Sequence, residues 1–279
     1  MHGALRVRGR ELAWGARTYV MGIVNVTPDS FSGDGVPDAP GAIERAEEQY
    51  AASSDLLDIG AESTRPGHVV VDAATEIARL IPVIRGVRER FPDAVLSADT
   101  YKPDVFRAAH AAGADIVNCV WGMPDALLAA AADAGAPVII MHNKERAHYA
   151  GPVMDEVLGF LKDAAERAVR AGIPREHVIL DPGIGFGKTP DHNIEVLRGL
   201  ARLPQLGYPT LLGTSRKSTL GKLTGKTRAA DRVDGTTATT ALAVAAGIDI
   251  VRVHDVPQAR DAVSVADAIV RDWRPPSWT

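Results

Sequence analysis

The most constraining feature of this 279-residue chain is the regular alternation of short apolar runs with longer amphipathic stretches. The short runs are rich in β-branched residues and have no polar face, which is typical of strands buried on both sides. The longer stretches repeat apolar residues at helical spacing. Strands are predicted at 19–25, 56–60, 95–99, 115–118, 137–142, 178–181, 210–214 and 249–253.

Helices are predicted after these strands, at about 40–53, 72–90, 103 onward, 124–134, 152–171, 193–203, 234–246 and 257–271. Eight consecutive strand–helix units predict the α/β class and a single (β/α)8 TIM barrel. The alternative is a doubly wound open sheet, which usually has fewer strands. Residues 4–14 alternate around Gly9 and Arg10, which predicts a short N-terminal β-hairpin. The predicted domains are a capping hairpin at 1–18 and the barrel at 19–279.

Charge and cysteine content narrow the class of partner. The formal net charge is −4 and no basic patch is visible, which argues against a nucleic acid. Cys119 is the only cysteine, so it is interpreted as an inert buried thiol in a reducing compartment. No apolar run reaches the ~18 residues of a membrane span, and the N-terminus lacks a signal-peptide core. The sequence therefore predicts a cytoplasmic protein with no membrane partner.

Every predicted strand ends in, or is closely followed by, a polar or ionisable residue. These residues are Asn25, Glu62, Asp99, Asn118, His142, Asp181, Ser215 and Arg252. In TIM barrels the active site lies at the carboxyl ends of the strands, whereas the interior layers are apolar. Loops begin at the same places, so a few polar residues arise by chance, but a series of eight indicates a functional site at this mouth.

Two of these ends carry motif-like stretches. Asp181–Thr189 lacks the glycine spacing of a P-loop or of a GxGxxG fingerprint, and is interpreted as a wall along a flat ligand. Gly213–Ser218 suits an anion or a carbonyl at a helix start. The alternative for this second stretch is that Arg216 and Lys217 simply begin a solvated helix.

The last strand and the fifth strand leave alternatives open. Arg252 and His254 face the same side of their strand, where with Arg65 they would clamp a diphosphate. A cation there would otherwise only balance buried acids. Met141 and His142 end the fifth strand, and such lone residues are more often packing than ligands.

Together, Asp99, Asn118 and Asp181 suit a neutral heterocycle rich in hydrogen-bond donors, and the cations suit a diphosphate leaving group. No motif for a tightly held zinc ion is present in the sequence.

The motifs resemble those of the dihydropteroate synthase family, the bacterial folate-pathway enzymes that sulfonamides inhibit. They stand in the family's order as MGIVNVTPDSFSGDG, DIGAESTRPG, SADTYKP, IVN, MH, DPGIGFGK, GTSRKS and VRVHDV. The resemblance implies a TIM barrel that joins 6-hydroxymethyl-7,8-dihydropterin diphosphate to 4-aminobenzoate and releases diphosphate. It also implies a requirement for Mg²⁺ and a homodimer formed through the last helices.

The resemblance assigns roles to individual residues. The pterin would be held by Asp99, Asn118, Asp181 and Lys217, its slot lined by Met141, Phe186 and Gly213, and Arg252 would stack on the pterin and contact phosphate. The diphosphate would be bound by Asn25, Thr64, Arg65, Arg252 and His254, with Asn25 also at the metal. The 4-aminobenzoate pocket would be formed by Phe31, Pro66, Lys217 and Ser218.

The implied reaction begins with cleavage of the C–O bond, so that Asp99 faces a cation-like methylene group before the neutral arylamine attacks. The predicted catalytic residues are Asp99, Asp181, Lys217 and Arg252. The segment Thr27–Gly35 is predicted to be a mobile lid that brings Phe31 over the aminobenzoate.

One departure bears on activity, because Cys119 stands where the family commonly has Asp. This departure is the one hint toward a catalytically weak pterin-binding paralogue. A methyltransferase of the same fold, which passes methyl from methyltetrahydrofolate to a corrinoid, is a separate alternative.

Overall fold

The structure is a computed structural model that describes residues 3–26, 38–62 and 70–275. The strands are β1 Ala4–Val7, β2 Arg10–Ala13, β3 Tyr19–Asn25, β4 Leu56–Gly60, β5 Val95–Asp99, β6 Ile116–Cys119, β7 Val138–Met141, β8 Val178–Asp181, β9 Leu211–Leu212 and β10 Ile250–Val253. The α-helices are α1 Ala39–Ala51, α2 Ala73–Arg90, α3 Pro103–Ala112, α4 Asp125–Asp133, α5 Val153–Arg170, α6 Pro190–Arg198, α7 Ser218–Thr224, α8 Val233–Ala245 and α9 Val256–Val270.

The strands β3 to β10 form one parallel sheet in the order β8-β7-β6-β5-β4-β3-β10-β9. A parallel bridge between Leu180 and Thr210 joins its two ends. The sheet therefore closes on itself, and helices surround it. The predicted (β/α)8 barrel is confirmed, and the open doubly wound alternative is wrong because its edge strands would stay unpaired.

Two predicted boundaries were wrong. The seventh barrel strand was expected at 210–214, but β9 is only Leu211–Leu212. The chain turns after it, and Arg216 adopts a left-handed conformation with φ of 55°. The helix expected at 193–203 begins at Pro190 instead, because Thr189 caps it and proline suits a first helical turn.

The amino-terminal end of the barrel is closed by apolar side chains. Antiparallel β1 and β2 form the predicted hairpin. Its Leu5 and Leu12, with Trp14, pack on one inward-facing layer of the barrel strands. That layer consists of Met21, Leu56, Val95, Ile116, Ile139, Ile179, Leu211 and Ile250. Burying each such side chain contributes roughly 1.5–3 kcal/mol, so this end is built for stability.

Buried carboxylates fix the starts of neighbouring strands. Asp55 accepts a hydrogen bond from the Val20 backbone N–H at 2.8 Å, and Asp249 accepts one from the Thr210 N–H at 2.9 Å. These N–H groups lie where the parallel ladder begins and would otherwise be buried without a partner. The acids at this end therefore have a structural role. No helix of the described segments is long and apolar enough to cross a membrane.

Candidate active site

The next inward-facing layer, two residues further along most strands, is polar rather than apolar. Successive side chains of a strand point to opposite faces, so a step of two keeps the same face. From β4 to β10 this layer contains Asp58, Ser97, Asn118, Met141, Asp181, Gly213 and Arg252. This layer, together with Asp99 two residues beyond Ser97 at the end of β5, is the polar floor of the mouth. It agrees with the polar strand ends predicted from the sequence.

A hydrogen-bonded network joins four residues of this floor. Asp58 is 0% exposed and accepts from Asn118 Nδ2 at 2.9 Å and from Arg252 Nε at 2.5 Å. Arg252 Nη2 donates to Asp99 Oδ2 at 3.0 Å. Arg252 thus forms ion pairs with two buried acids. Its predicted contact with a diphosphate stays a prediction.

Asp58 is a site residue that the sequence analysis missed. It was assigned only to a strand, because one acid within the apolar run LLDIG leaves the strand pattern recognisable and does not stand at the strand end. The available signal was the burial of both strand faces, since an acid between apolar neighbours in such a strand needs a buried cation or amide as partner.

Two carboxylate oxygens of the floor lack partners in the structure as described. Asp58 Oδ1 and Asp99 Oδ1 are both buried without a hydrogen bond. Burial, reinforced by the nearby charge of Asp58, raises the pKa of Asp99 to about 7. Such acceptors favour a ligand that presents N–H groups, because an unsatisfied buried acceptor is costly.

Asp181 and Lys217 lie together on the opposite side of the mouth. Asp181 accepts from the Gly183 N–H at 2.7 Å, and burial raises its pKa against the effect of the Lys217 charge. Lys217 donates to the Ile184 carbonyl, and its Nζ lies 4.5 Å from the centroid of the Phe186 ring. Burial lowers the pKa of Lys217 to about 8. The predicted catalytic pair is therefore brought into one electrostatic environment.

Gly213 leaves space between two of these groups. A Cβ built there would lie 3.9 Å from both Arg252 Cβ and Asp181 Oδ2. Phe186 and Met141 border the same region through the loop after β8 and the end of β7. A flat ring standing between these side chains would have donors and acceptors at its edges.

The alternative of a solvated helix start at Arg216 and Lys217 is wrong. Arg216 is only 9% exposed and forms an ion pair with Asp255, Nη2 to Oδ1, at 2.5 Å. Ser218 begins α7 directly after Lys217. Arg216 and Lys217 are therefore held by protein contacts, whereas Ser218 is exposed.

His254 is a neutral residue at the rim. Its Nδ1 shares a hydrogen bond of 2.8 Å with Ser215 Oγ, and its backbone N–H donates to the same oxygen at 3.0 Å. Burial and the charges of Arg216 and Arg252 hold the pKa of His254 well below its usual range. A contribution of His254 to anion binding would therefore come from N–H donation and not from charge.

Four predicted ligands, Phe31, Thr64, Arg65 and Pro66, lie outside the described residues, as does the predicted lid at 27–35. The described residues beside 63–69 form an ion cluster. Glu62 accepts from Lys102 Nζ and from the Val71 N–H, and Lys102 also donates to Glu76 at 2.6 Å. Glu62, directly before this segment, is thus hydrogen-bonded to Val71, two residues after its end.

Cys119 faces away from the mouth. It is 0% exposed and packs in the apolar layer between strands and helices with Phe106 and Met123. Burial raises the pKa of its thiol to about 11, which agrees with the inert thiol inferred from the sequence. Asn118 is supported by Asp58 and not by residue 119, so the departure at Cys119 leaves that support intact.

Comparison with known proteins places this geometry among characterised relatives. A family model described as "Pterin binding enzyme" matches residues 21–254. The dihydropteroate synthase of Clostridium beijerinckii is 41% identical over 96% of this chain and 100% of its own length. That of Streptococcus pyogenes serotype M1 is 44% identical over 90% of this chain and 95% of its own.

Solved structures are similar over the whole barrel. A Yersinia pestis dihydropteroate synthase in complex with a sulfonamide drug superposes with a TM-score of 0.90, at 38% identity, over 97% of this chain and 100% of that one. A Xanthomonas albilineans dihydropteroate synthase in complex with 7,8-dihydropteroate gives 0.86 at 39% identity, over 95% and 98% of the two chains.

Proposed function

This chain belongs to the dihydropteroate synthase family of pterin-binding enzymes, and we propose that it joins 6-hydroxymethyl-7,8-dihydropterin diphosphate to 4-aminobenzoate, forming 7,8-dihydropteroate and diphosphate. The polar barrel floor carries this proposal. Asp58 and Asp99 offer buried acceptor oxygens beside the Asn118 amide. The donor-rich edge of a pterin matches that set of groups.

The pterin would lie between the two sides of the mouth. Asp99, Asn118 and Asp181 would accept from and donate to its ring, while Lys217 would donate to it. Met141, Phe186 and Gly213 would line the slot, and Arg252 would stack on the ring. The positive charges of Lys217 and Arg252 both act on Asp181, where they oppose the rise in its pKa that burial causes.

The chemistry needs stabilisation of charge more than it needs a strong base. Cleavage of the C–O bond leaves positive charge on the pterin methylene and negative charge on the leaving diphosphate. Asp99 would face the first charge, and Arg252 would face the second together with His254 and Asn25. Groups held in place before the reaction stabilise such charges without having to reorganise. The arylamine is a neutral nucleophile and needs no activation.

Asn25 fits a magnesium ion as a single protein ligand. It ends β3 in register with Gly60, and is half-buried at the barrel rim. Mg²⁺ prefers oxygen ligands and is usually held by one or two protein groups together with substrate phosphates and water. The described residues contain no cluster of three metal-ligating side chains, so the diphosphate would supply most of the remaining ligands. Bound there, Mg²⁺ would neutralise the leaving group.

The remaining roles concern the second substrate. Ser218 and Lys217 would border the aminobenzoate pocket from the start of α7, with Phe31 and Pro66 completing it and Thr64 and Arg65 binding diphosphate. The relatives of known structure include a Xanthomonas albilineans dihydropteroate synthase solved with 4-aminobenzoic acid. This supports the proposal of the same substrate here.

Turnover distinguishes the synthase from its alternatives. Purified protein would be mixed with Mg²⁺, the pterin diphosphate and 4-aminobenzoate, and both products measured. We expect dihydropteroate and diphosphate in equal amounts, with a sulfonamide competing against 4-aminobenzoate. Pterin binding without product would favour the weak paralogue. Methyl transfer from methyltetrahydrofolate to a corrinoid would favour the methyltransferase.

We also propose a homodimer through the last helices. Leu242 on α8 and Val265 and Ile269 on α9 are 65%, 63% and 79% exposed. These two helices pack against each other, so a dimer formed through them would cover these side chains. Light scattering should give twice the chain mass, and Ile269→Glu should lower it; a wild-type monomer at micromolar concentration would contradict the proposal. The cytoplasmic location stays a prediction.

A further inference from the structure

Lys188 is a half-buried lysine to which no catalytic or binding role has been assigned. Its ammonium donates to the Gly183 carbonyl at 2.9 Å and to the Phe186 carbonyl at 3.2 Å, and shares a 2.8 Å contact with His142 Nδ1. An ammonium has three N–H donors, so these three partners saturate it. Burial lowers the pKa of His142 to about 3, so its ring is neutral and its Nδ1 can accept.

The segment Gly183–Gly187, which Lys188 contacts, is the wall beside Asp181 and Lys217. It belongs to no helix or strand, and its glycines 183, 185 and 187 all have positive φ. A Cβ at Gly183 would overlap the His142 carbonyl oxygen. Within the wall, the Phe186 N–H donates to the Gly183 carbonyl at 3.2 Å. The wall has no strand ladder, so most of its other polar groups need partners from the rest of the protein.

Side chains supply those partners one by one. Asn193 Oδ1 accepts from the Gly185 N–H at 2.8 Å, and Tyr149 Oη donates to the Gly187 carbonyl at 2.8 Å. Lys217 donates to the Ile184 carbonyl. Each of these three side chains forms one hydrogen bond with a backbone group of the wall. Among the described residues, Lys188 donates to two of its carbonyls, those of Gly183 and Phe186.

The position of Lys188 excludes two simpler roles. Its carbonyl partners lie in the wall, so it is not a surface lysine, and three protein acceptors leave it no N–H for a substrate. Burial lowers the pKa of Lys188 to about 7 while the Asp181 charge opposes that shift. A buried ammonium is costly to keep, so its retention requires these acceptors.

We propose that Lys188 is a positioning residue for the pterin slot. Its hydrogen bonds to the Gly183 and Phe186 carbonyls fix the backbone conformation of the wall. That conformation in turn positions the Phe186 ring and the Ile184 carbonyl, both of which contact Lys217. The inference rests on the proposed function, because the slot is assumed to take the pterin. Its consequence is selective: losing Lys188 should weaken the pterin site far more than the aminobenzoate site.

The test uses Lys188→Met, whose unbranched side chain is one heavy atom shorter and has none of the three donors. Binding of the pterin diphosphate alone would be measured by calorimetry, and kcat and the Michaelis constants of both substrates by steady-state kinetics. We expect the Kd and the Michaelis constant for the pterin to rise by about 10-fold or more, as for loss of a charged hydrogen bond. At saturating pterin, the Michaelis constant for the aminobenzoate substrate should change by less than about threefold.

Lys144→Met is the matched control. Lys144 lies beside Gly187, and its Nζ is 4.6 Å from the centroid of the Tyr149 ring. That Nζ donates to Glu156 at 2.5 Å and to the His148 carbonyl at 2.7 Å, and to no carbonyl of Gly183–Gly187. We expect its pterin affinity to equal that of the wild type. Lys188→Gln keeps two uncharged donors and should give an intermediate loss, which provides a second measurement if Lys188→Met does not fold.

The outcomes separate this inference from the proposed function. If the wild type binds no pterin and forms no product, the function itself is wrong. If the wild type does both and Lys188→Met or Lys188→Gln binds pterin as tightly, only the role of Lys188 is overturned. An equal loss at both substrate sites and in kcat would also overturn it, since that pattern indicates general destabilisation.

Discussion

Replacing Asp58 by Asn tests the reasoning about the barrel floor most directly. The change is isosteric and removes one negative charge from a side chain that is 0% exposed. Asn118 and Arg252 both donate to one oxygen of Asp58, Oδ2, whereas Oδ1 has no partner. An amide whose oxygen takes the place of Oδ2 keeps both hydrogen bonds but loses the charge, and its NH₂ group replaces the free acceptor Oδ1 by a donor. Arg252 would therefore lose one of its two ion pairs, and a donor-rich ligand would lose the acceptor Oδ1.

The size of the effect follows from the contacts. Loss of a hydrogen bond to a charged group costs about 1.5–3 kcal/mol, which corresponds to a factor of roughly 10 to 150 in affinity. Arg252 keeps its pair with Asp99 at 3.0 Å, and the repulsion between the two carboxylates disappears. We therefore expect pterin affinity to fall within that range while the free energy of unfolding changes less.

The dependence of binding on pH gives a second readout with a defined sign. The pKa of Asp99 is raised to about 7, first by burial and then by the charge of Asp58. A ligand that donates to ionised Asp99 binds better as pH rises through 7, so calorimetry across neutral pH should show a midpoint near that value. In Asp58→Asn the second cause is absent, so the midpoint should move to lower pH.

The free energy of unfolding depends on pH in the opposite direction to ligand binding. Folded Asp99 keeps its proton above the pKa of about 3.9 of an unfolded aspartate, so its contribution to the free energy of unfolding falls as pH rises from about 4 to 7. Asp249→Asn is the control, because Asp249 is buried at the other end of the barrel. It should lower Tm without moving the binding midpoint. A midpoint that stays fixed or rises in Asp58→Asn would refute the electrostatic argument.

Three further predictions concern single residues. Lys217→Ala should lower kcat/KM by about 10- to 100-fold, because it removes a buried charged donor; unchanged steady-state kinetics would exclude Lys217 from the site. Gly183→Ala should lower the free energy of unfolding in urea by more than about 1 kcal/mol, since φ is +69° and a Cβ would overlap the His142 carbonyl; equal stability would contradict the wall geometry. Asn25→Ala should raise the Mg²⁺ concentration for half-maximal activity while the affinity for a pterin without the diphosphate stays unchanged, and an unaltered Mg²⁺ titration would remove Asn25 from the metal site.

The sequence predicted the barrel and many of the residues at its mouth because both depend on local patterns. Hydrophobic period and turn residues identify each strand and helix separately, and parallel connection leaves few ways to order them. Asp99, Asn118 and Asp181 were recognisable because each directly follows apolar residues at the end of its strand. The strand at 210–214 was overestimated because apolar content does not reveal a turn forced by tertiary contacts, as at Arg216.

The contacts between charged side chains in the site could not be predicted from the sequence. Asp58 meets Asn118 across 60 positions and Arg252 across 194, and nothing local indicates that these side chains share one layer. The lowered pKa values of His254 and Lys188 likewise depend on burial by residues that are distant in the sequence. Local residue patterns determined that this chain forms a barrel with a polar mouth. Closure of the sheet decided which charges meet there, because only then do distant strands present their side chains to the same small volume.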